Sequence, residues 1–365
     1  MKVSVMQEHL SKAVSTVSRV VGVRTSLPIL ANVLITADKS TLSISATNLE
    51  IALTATIGCK VEQPGAVSVP ARLLQETVQG LQSEKIQLTS EETQLELSAA
   101  GAQASLQGMS VEEFPAIPEV KPVQSLVLPA STLLRALSKV SIAASIDESR
   151  PVLAGVSVKS SGDKLTFAAT DSYRLAEMTV TEKDLKELAV ILPLRTVQEV
   201  VRLMGQTNVE TVKFDFGQNE ARITVDDVTL VTRLIDGNFP NYAQIIPAKS
   251  ETIARLSRAE LASAVRLASV FARESAHTIT LAVEKSGVTI HAEAAQVGQN
   301  TSEVTAKVDG KPAAISLNAR FLLDVLGVLD GDEVELRFND KLDPCLVVPV
   351  EKGAHYLHLI MPLRS

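Results

Sequence analysis

The chain has 365 residues, of which 45% are hydrophobic and only 3% aromatic, with no tryptophan and a formal net charge of −7. That length suggests two or three domains, each with enough apolar residues for a core. The scarcity of aromatics excludes a base-stacking or sugar-stacking platform, and the acidic balance argues against ordinary duplex binding through one basic patch.

Cys59 and Cys345 stand far apart and in no C-x-x-C setting, as expected of a reduced protein. No stretch of about 18 uncharged apolar residues occurs, and no long apolar run follows Lys2. The expectation is a cytoplasmic protein with no membrane segment.

In chain order the same pattern is read three times. Val3 and Val5 alternate as a short strand, then Leu10, Val14, Val17 and Val21 share one helical face. Strands are expected at Asn32–Thr36, Thr41–Thr47 and Ile51–Ile57, followed by a second helix within Val69–Leu81. The next third repeats this with Leu126 and Leu128, a helix bearing Leu133, Leu134, Leu137 and Val140, and strands at Gly155–Lys159, Lys164–Ala168 and Arg174–Val180. A second helix within Leu192–Met204 then precedes strands at Val209–Phe216, Ala221–Val225 and Thr229–Leu234. In the last third Ile253 precedes a helix with Leu261, Val265, Leu267, Ala268 and Phe271. Strands Thr278–Val283, Val288–Ala292 and Thr301–Lys307 and a helix within Leu317–Leu329 follow.

The three second helices superpose. Arg72, Arg195 and Arg320 coincide, 123 and then 125 residues apart, as do Leu74, Val197 and Leu322, then Val78, Val201 and Leu326, then Leu81, Met204 and Leu329. Those apolar positions recur at i, i+4 and i+7, one face of an α-helix, and each arginine falls about 200° from the first of them, pointing outward. Pro70 and Pro193 suit a first helical turn, and Ser131, Ser257 and Asn318 suit N-caps. The linkers Phe114–Pro118 with Pro122, and Phe239–Tyr242 with Pro247, divide the chain into 1–121, 122–247 and 248–365. Each third is an α+β unit of two helices on antiparallel sheets, and three such units on stiff joints make an arc that must close by pairing or run on as a filament.

Charge is distributed unevenly. The helical windows 8–24, 70–81, 131–145, 193–204, 255–274 and 318–329 hold 13 Lys and Arg against 6 Asp and Glu, a net +7, which leaves −14 for the rest.

Catalytic signatures are missing. Asp309-Gly310-Lys311 has Thr305 where a Walker loop needs its first glycine. His355 and His358 point to opposite faces of a strand, and Asp330, Asp332 and Glu333 lack an EF-hand's spacing, so no metal or other cofactor is expected. The acid, hydroxyl and base of Thr170–Arg174 have no histidine nearby in sequence to activate Ser172.

Several stretches in this order resemble the bacterial β sliding clamps, the β subunits of DNA polymerase III. They are Arg24 with Leu27-Pro28-Ile29-Leu30, Val69-Pro70-Ala71-Arg72, Arg150 to Gly155, Ala169 to Ala176, Asp236 to Tyr242, and Met361-Pro362-Leu363-Arg364. The resemblance implies a closed ring, a head-to-tail homodimer of three-domain subunits with helices around the hole and sheets outside. It also implies a non-catalytic processivity factor that encircles duplex DNA without reading sequence, and tethers the catalytic subunit of the polymerase. Clamp loader, repair polymerases and mismatch-repair proteins would share one docking pocket. The other class is a monomeric α+β enzyme of unknown activity with the same architecture.

On that resemblance, Arg24, Arg72, Arg150, Arg195 and Arg202 face DNA. The partner-peptide pocket is lined by Leu153, Thr170, Tyr173, Arg174, Leu175 and Pro240, together with Ile245, Leu359, Met361, Pro362, Leu363 and Arg364. The dimer interface joins Leu106 of one subunit to Val270 and Phe271 of the next. Gln244 and Tyr173 stand where enterobacterial members carry arginine and histidine, Leu194 replaces a basic residue, and Ala104 replaces a large aromatic.

Overall fold

A computed structural model describes residues 1–22, 27–183, 185–296, 298–350 and 355–363. Its first third runs β1 (Lys2–Met6), α1 (Gln7–Val17), β2 (Asn32–Asp38), β3 (Thr41–Thr47), β4 (Ile51–Gly58), β5 (Lys60–Gln63), β6 (Gly65–Pro70), α2 (Ala71–Gly80), β7 (Lys85–Glu91), β8 (Gln94–Ala99) and β9 (Ala102–Gln107). The second runs β10 (Gln124–Pro129), α3 (Ala130–Ser141), β11 (Gly155–Ser161), β12 (Lys164–Thr170), β13 (Arg174–Thr181), β14 (Leu188–Pro193), α4 (Leu194–Gln206), β15 (Thr211–Phe216), β16 (Glu220–Val225) and β17 (Val228–Arg233). The third runs β18 (Thr252–Ser257), α5 (Arg258–Phe271), β19 (Thr278–Glu284), β20 (Gly287–Ala294), β21 (Gly298–Gly310), β22 (Ala313–Asn318), α6 (Ala319–Val328), β23 (Glu333–Phe338), β24 (Cys345–Pro349) and β25 (Tyr356–Ile360).

The repeated helices bury the face that their periodicity marks. Leu10, Val14 and Val17 of α1, Leu74 and Val78 of α2, and Leu322 and Leu326 of α6 are buried, each contributing about 1.5–3 kcal/mol on removal from water. Arg72, Arg195 and Arg320 are exposed, as the helical angle requires. Asn318 accepts a hydrogen bond from the Arg320 amide at 2.9 Å, and Ser257 from the Glu260 amide at 3.3 Å, so both cap their helices.

Other expectations are corrected. Helix α3 begins at Ala130, which puts Ser131 inside its first turn instead of at the cap. Pro70 and Pro193 end strands, one residue before their helices. Helix α1 stops at Val17 and a 3-10 turn, Ser18–Val20, follows, where Val20, Val21 and Gly22 disfavour further α-helix. Leu267 is half exposed instead of facing the core, because it lies only two residues from Val265 on a helix that buries Leu261, Val265 and Ala268.

Strand pairing crosses the thirds. Two compact units result, residues 1–130 with 202–234, and residues 131–201 with 235–365. In the first, the order β10-β15-β16-β17-β4-β3-β2-β6 sets the last strand of the second third against β4, with Thr232 opposite Ile51. In the second, the order β14-β11-β12-β13-β25-β24-β23-β18-β21-β20-β19-β22 sets the last strand of the final third against β13, with Ile360 opposite Arg174. The order β5-β1-β7-β8-β9 forms a separate sheet in the first unit, with β9 at its edge. Gly155 starts β11 where a Cβ would come within 2.6 Å of the Leu192 carbonyl, so that close strand approach admits only glycine.

Candidate functional site

The groove is built around a turn between β12 and β13. Thr170 Oγ1 donates to the Arg174 carbonyl at 2.7 Å and accepts from the Ser172 amide, while Asp171 Oδ1 accepts from the amides of Tyr173 and Arg174. An acid and a hydroxyl at these positions supply the acceptors that a tight reversal leaves unmet. Asp171 and Ser172 are therefore structural, and Ser172 sits at φ +79°, which turns Tyr173 out to 61% exposure.

The same turn occurs 123 residues earlier. Thr47 Oγ1 donates to the Ile51 carbonyl, Asn48 Oδ1 accepts from the amides of Glu50 and Ile51, and Leu49 takes φ +77°. Its sequence signal, Ala46-Thr47-Asn48 against Ala169-Thr170-Asp171, has the spacing of Arg72 and Arg195 and escaped the sequence reading.

Pairing of β13 with β25 sets Leu175 opposite Leu359, and with Leu346 they form the buried floor. Met361, Tyr242, Ile246 and Leu357 pack against it. Residues 361–363 run across this floor, with the Met361 amide donating to the Tyr173 carbonyl and the Leu363 amide to the Ser316 carbonyl, both at 2.8 Å. Leu153 is buried in a 3-10 turn, Pro151–Leu153, whereas Pro240 and Ile245 lie exposed on the linker after β17, and Pro362 is half-buried. Arg364 lies outside the described residues.

The structure thus joins Thr170, Tyr173, Arg174, Leu175, Leu359 and Met361 by direct bonds or packing. It adds Phe321 and Asp324 of α6, which hold the Arg174 guanidinium, and Leu342, which with Leu363 lines a cavity of about 640 Å³. Phe321 had a signal, being the aromatic that the third helix alone carries where the others have Leu73 and Thr196.

Below the groove lies a buried polar chain. Tyr356 donates to the Lys139 carbonyl at 3.2 Å, and its hydroxyl lies 3.2 Å from His358 Nδ1. Lys139, itself buried, bonds to Asp330 at 2.6 Å. Burial, and then the Arg174 charge, push the His358 imidazole down to about 3, so it is neutral at physiological pH.

Of the arginines expected to face DNA, Arg72 and Arg195 point outward from their helices, Arg202 is half-buried on its helix, and Arg150 precedes the 3-10 turn Pro151–Leu153. Arg72 pairs with Glu76 one turn on, Arg195 with Glu148 at 2.9 Å, and Arg150 donates to Ser172 at 3.0 Å. Arg202 bonds to Gln206 and lines, with Lys12 and Arg19, a cavity of about 480 Å³. Arg24 lies outside the described residues. Three of the thirteen helix-window cations have structural duties: Lys139 is buried with Asp330, Arg255 is on β18 against Glu335, and Arg258 caps the carbonyls of Leu326 and Gly331. The positive excess facing outward is smaller than the sequence tally. Of the interface residues expected from the sequence, Leu106 is buried, Val270 is 46% exposed and Phe271 is half-buried. Among the described residues no cluster of His, Cys, Asp and Glu could hold a metal ion, and no helix is long and apolar enough to cross a membrane.

Comparison with known proteins places the chain. Residues 1–118, 127–241 and 243–364 match the family models for the N-terminal, central and C-terminal domains of the DNA polymerase III beta subunit. The beta sliding clamps of Caulobacter vibrioides and of Synechocystis are 32% and 30% identical, covering all of this chain and 100% and 99% of those proteins. Among solved structures, the Caulobacter crescentus clamp with polyethylene glycol in its suggested beta-motif tethering region gives a TM-score of 0.94 at 31% identity. The Pseudomonas aeruginosa clamp bound to griselimycin gives 0.95 at 27%, and both comparisons cover 100% of each chain. With the threefold repeat of helices on antiparallel sheets already evident, these matches establish that the chain belongs to the DNA polymerase III beta subunit family, the non-catalytic sliding clamps of DNA replication.

Proposed function

We propose that two copies of this clamp close head to tail into a ring of six domains, 1–121, 122–247 and 248–365 twice over, around duplex DNA. One observation carries the proposal: each joint within the chain pairs the last strand of one third with a middle strand of the third before it, and one such pair of edges is left over. Strand β9 has no partner on its outer side among the described residues. Residues 298–305 of β21 pair only with β20. The hairpin pair Ala99–Ala102 corresponds to Val225–Val228, and the β20–β21 pairing corresponds to β12–β13. Transferring the internal register puts Leu106 of one copy opposite Gly298 of the other. A Cβ on Gly298 would lie 4.0 Å from the Phe271 ring, so Phe271, with Val270 beside it, would meet Leu106.

Inside such a ring Arg24, Arg72, Arg150, Arg195 and Arg202 face the phosphates. The acidic remainder faces solvent. Retention is topological and sequence-independent, so few tight contacts are needed. The groove takes an extended apolar peptide from the polymerase catalytic subunit, and in turn from clamp loader, repair polymerases and mismatch-repair proteins. Met361, unbranched and adaptable, suits several occupants. The free thiols of Cys59 and Cys345 accord with a cytoplasmic setting.

The test is retention after loading. The protein should stay on a nicked circle in salt that strips phosphate-bound proteins, and run off once the circle is cut. Alanine at all five arginines should slow loading yet leave the closed ring on circles. Equal salt-resistant retention on linear DNA with open ends would rule out encirclement.

A further inference from the structure

The sheet face that floors the peptide groove continues beyond it. Alternate strand residues share a face, and the registers align Leu359 with Leu175 and Thr170, then Glu177 with Ala168 and Ser157, then Thr166 with Lys159. At the apolar end, Tyr242 and Ile246 of the linker pack on Leu175 and Leu359. At the other end, Phe239, Tyr242 and Pro247 wall a second groove of about 600 Å³ whose floor is Ser157, Lys159, Thr166 and Glu177. Pro240 lines it too, and belongs as well to the peptide pocket expected from the sequence.

The walls are firm. Phe239 and Tyr242 meet edge to face with centroids 6.0 Å apart, and burial, then the neighbouring Glu177 carboxylate, push the part-buried Tyr242 hydroxyl up from its ordinary value. Glu177 is half-buried beside that hydroxyl, whereas Lys159 is exposed and has no ion-pair partner among the described residues, so the charged group on offer to an incoming chain is the Lys159 ammonium. Aromatic and proline walls accept aliphatic stems, and one convergent cation selects a carboxylate.

We infer that this groove is an auxiliary docking subsite for the residues that flank the apolar core of a client peptide, and that it takes an acidic side chain of that flank onto Lys159. The inference rests on the reading of the Leu175–Leu359 groove as the peptide pocket. A chain leaving that pocket along the same face enters the second groove directly, whereas a separate ligand would have no reason to share Pro240 and Tyr242 with it.

The test uses the full-length protein and three fluorescent peptides: a Leu- and Phe-containing core, the core extended at both ends by Ala-Glu-Ala-Glu, and the core extended by Ala-Lys-Ala-Lys. The Glu-extended peptide should bind about threefold to fivefold tighter than the core, the range expected of one partly exposed ion pair. Lys159→Glu should abolish that gain, transfer it to the Lys-extended peptide and leave the core affinity unchanged. A core that binds with no gain from extension, or a gain indifferent to Lys159→Glu, overturns the subsite while the pocket stands. A core that does not bind overturns both. A change in solution mass in the Lys159→Glu protein would make the groove a self-association face and equally overturn the inference.

Discussion

The Arg174 guanidinium lies over the Phe321 ring, its central carbon 4.3 Å from the centroid, while its nitrogens bond to Asp171 at 3.0 Å and Asp324 at 2.6 Å. With 11% of its side chain exposed, Arg174 bolts strand β13, its preceding turn and helix α6 together beneath the Tyr173 shelf. A lysine has one compact charge and cannot bridge both carboxylates and stack as well. Arg174→Lys should therefore lower stability by about 1–3 kcal/mol, read as an earlier urea midpoint at unchanged slope, and weaken peptide binding with it. An unshifted midpoint would mean that the fork contributes nothing net.

Met361 packs on the groove floor and Leu363 bonds to Ser316 beside it, so deleting Met361–Ser365 should abolish binding of a polymerase-derived peptide and leave dimerisation intact. Tyr173→Ala should weaken the same peptide by about 1–3 kcal/mol, as for loss of an aromatic contact. Calorimetric titration giving wild-type affinity for the truncated chain would place docking elsewhere.

The transferred register makes the ring contact specific. Ala104 of one copy should stand opposite Asn300 of the other, so Ala104→Cys with Asn300→Cys should cross-link into a covalent dimer on mild oxidation. Val270→Asp with Phe271→Asp would leave unpaired charges at the contact and should yield a folded monomer. Sedimentation of the double aspartate variant as a full dimer at low concentration would remove this interface from consideration.

His358 makes stability depend on pH. Its imidazole titrates near 3 in the folded chain and near the ordinary 6.5 when unfolded, so between these values the unfolded state binds the extra proton. Stability should fall on acidification through that window, by at most about 1.4 kcal/mol per pH unit from this group. In the lower part of the window the carboxylates add to the loss: burial would raise Asp215 and Glu335, but hydrogen bonds from Ser125, Arg222 and Lys213 to the first, and from Arg255 and Arg337 to the second, hold both below their ordinary values of 3.8 and 4.5, so their stabilisation drains away as pH falls from those values. His358→Gln should flatten the upper part of the profile. Since Tyr356 donates to Lys139, Nδ1 of His358 must carry the proton, and nitrogen NMR showing a protonated Nε2 would contradict that arrangement.

Much of the fold was legible because its signals are local. Three helices with arginine outside and apolar residues at i, i+4 and i+7, and strands such as Thr41–Thr47 whose bounds agree with the expectation, follow from side-chain periodicity, which needs no knowledge of neighbours. Site residues were legible in part for another reason: Thr170 to Arg174 and Met361 to Leu363 carry the family's motifs, and a motif names residues without saying what holds them.

Other features exist only between distant segments. Nothing local to Ile51 or Arg174 states that Thr232 and Ile360 lie opposite them, because antiparallel pairing is decided by whole sheet faces burying together, and one residue of slip would invert every side chain. The same holds for Lys139, one of the helix-window cations, which is buried against Asp330 191 residues away, and for Phe321 beneath Arg174. Composition and periodicity alone determined that the chain repeats an α+β unit three times with its cations concentrated on helices. The tertiary structure decided which charges are buried, which strands are left without partners and where a peptide can lie, since burial, ion pairing and edge exposure are properties of segments brought together and not of any segment by itself.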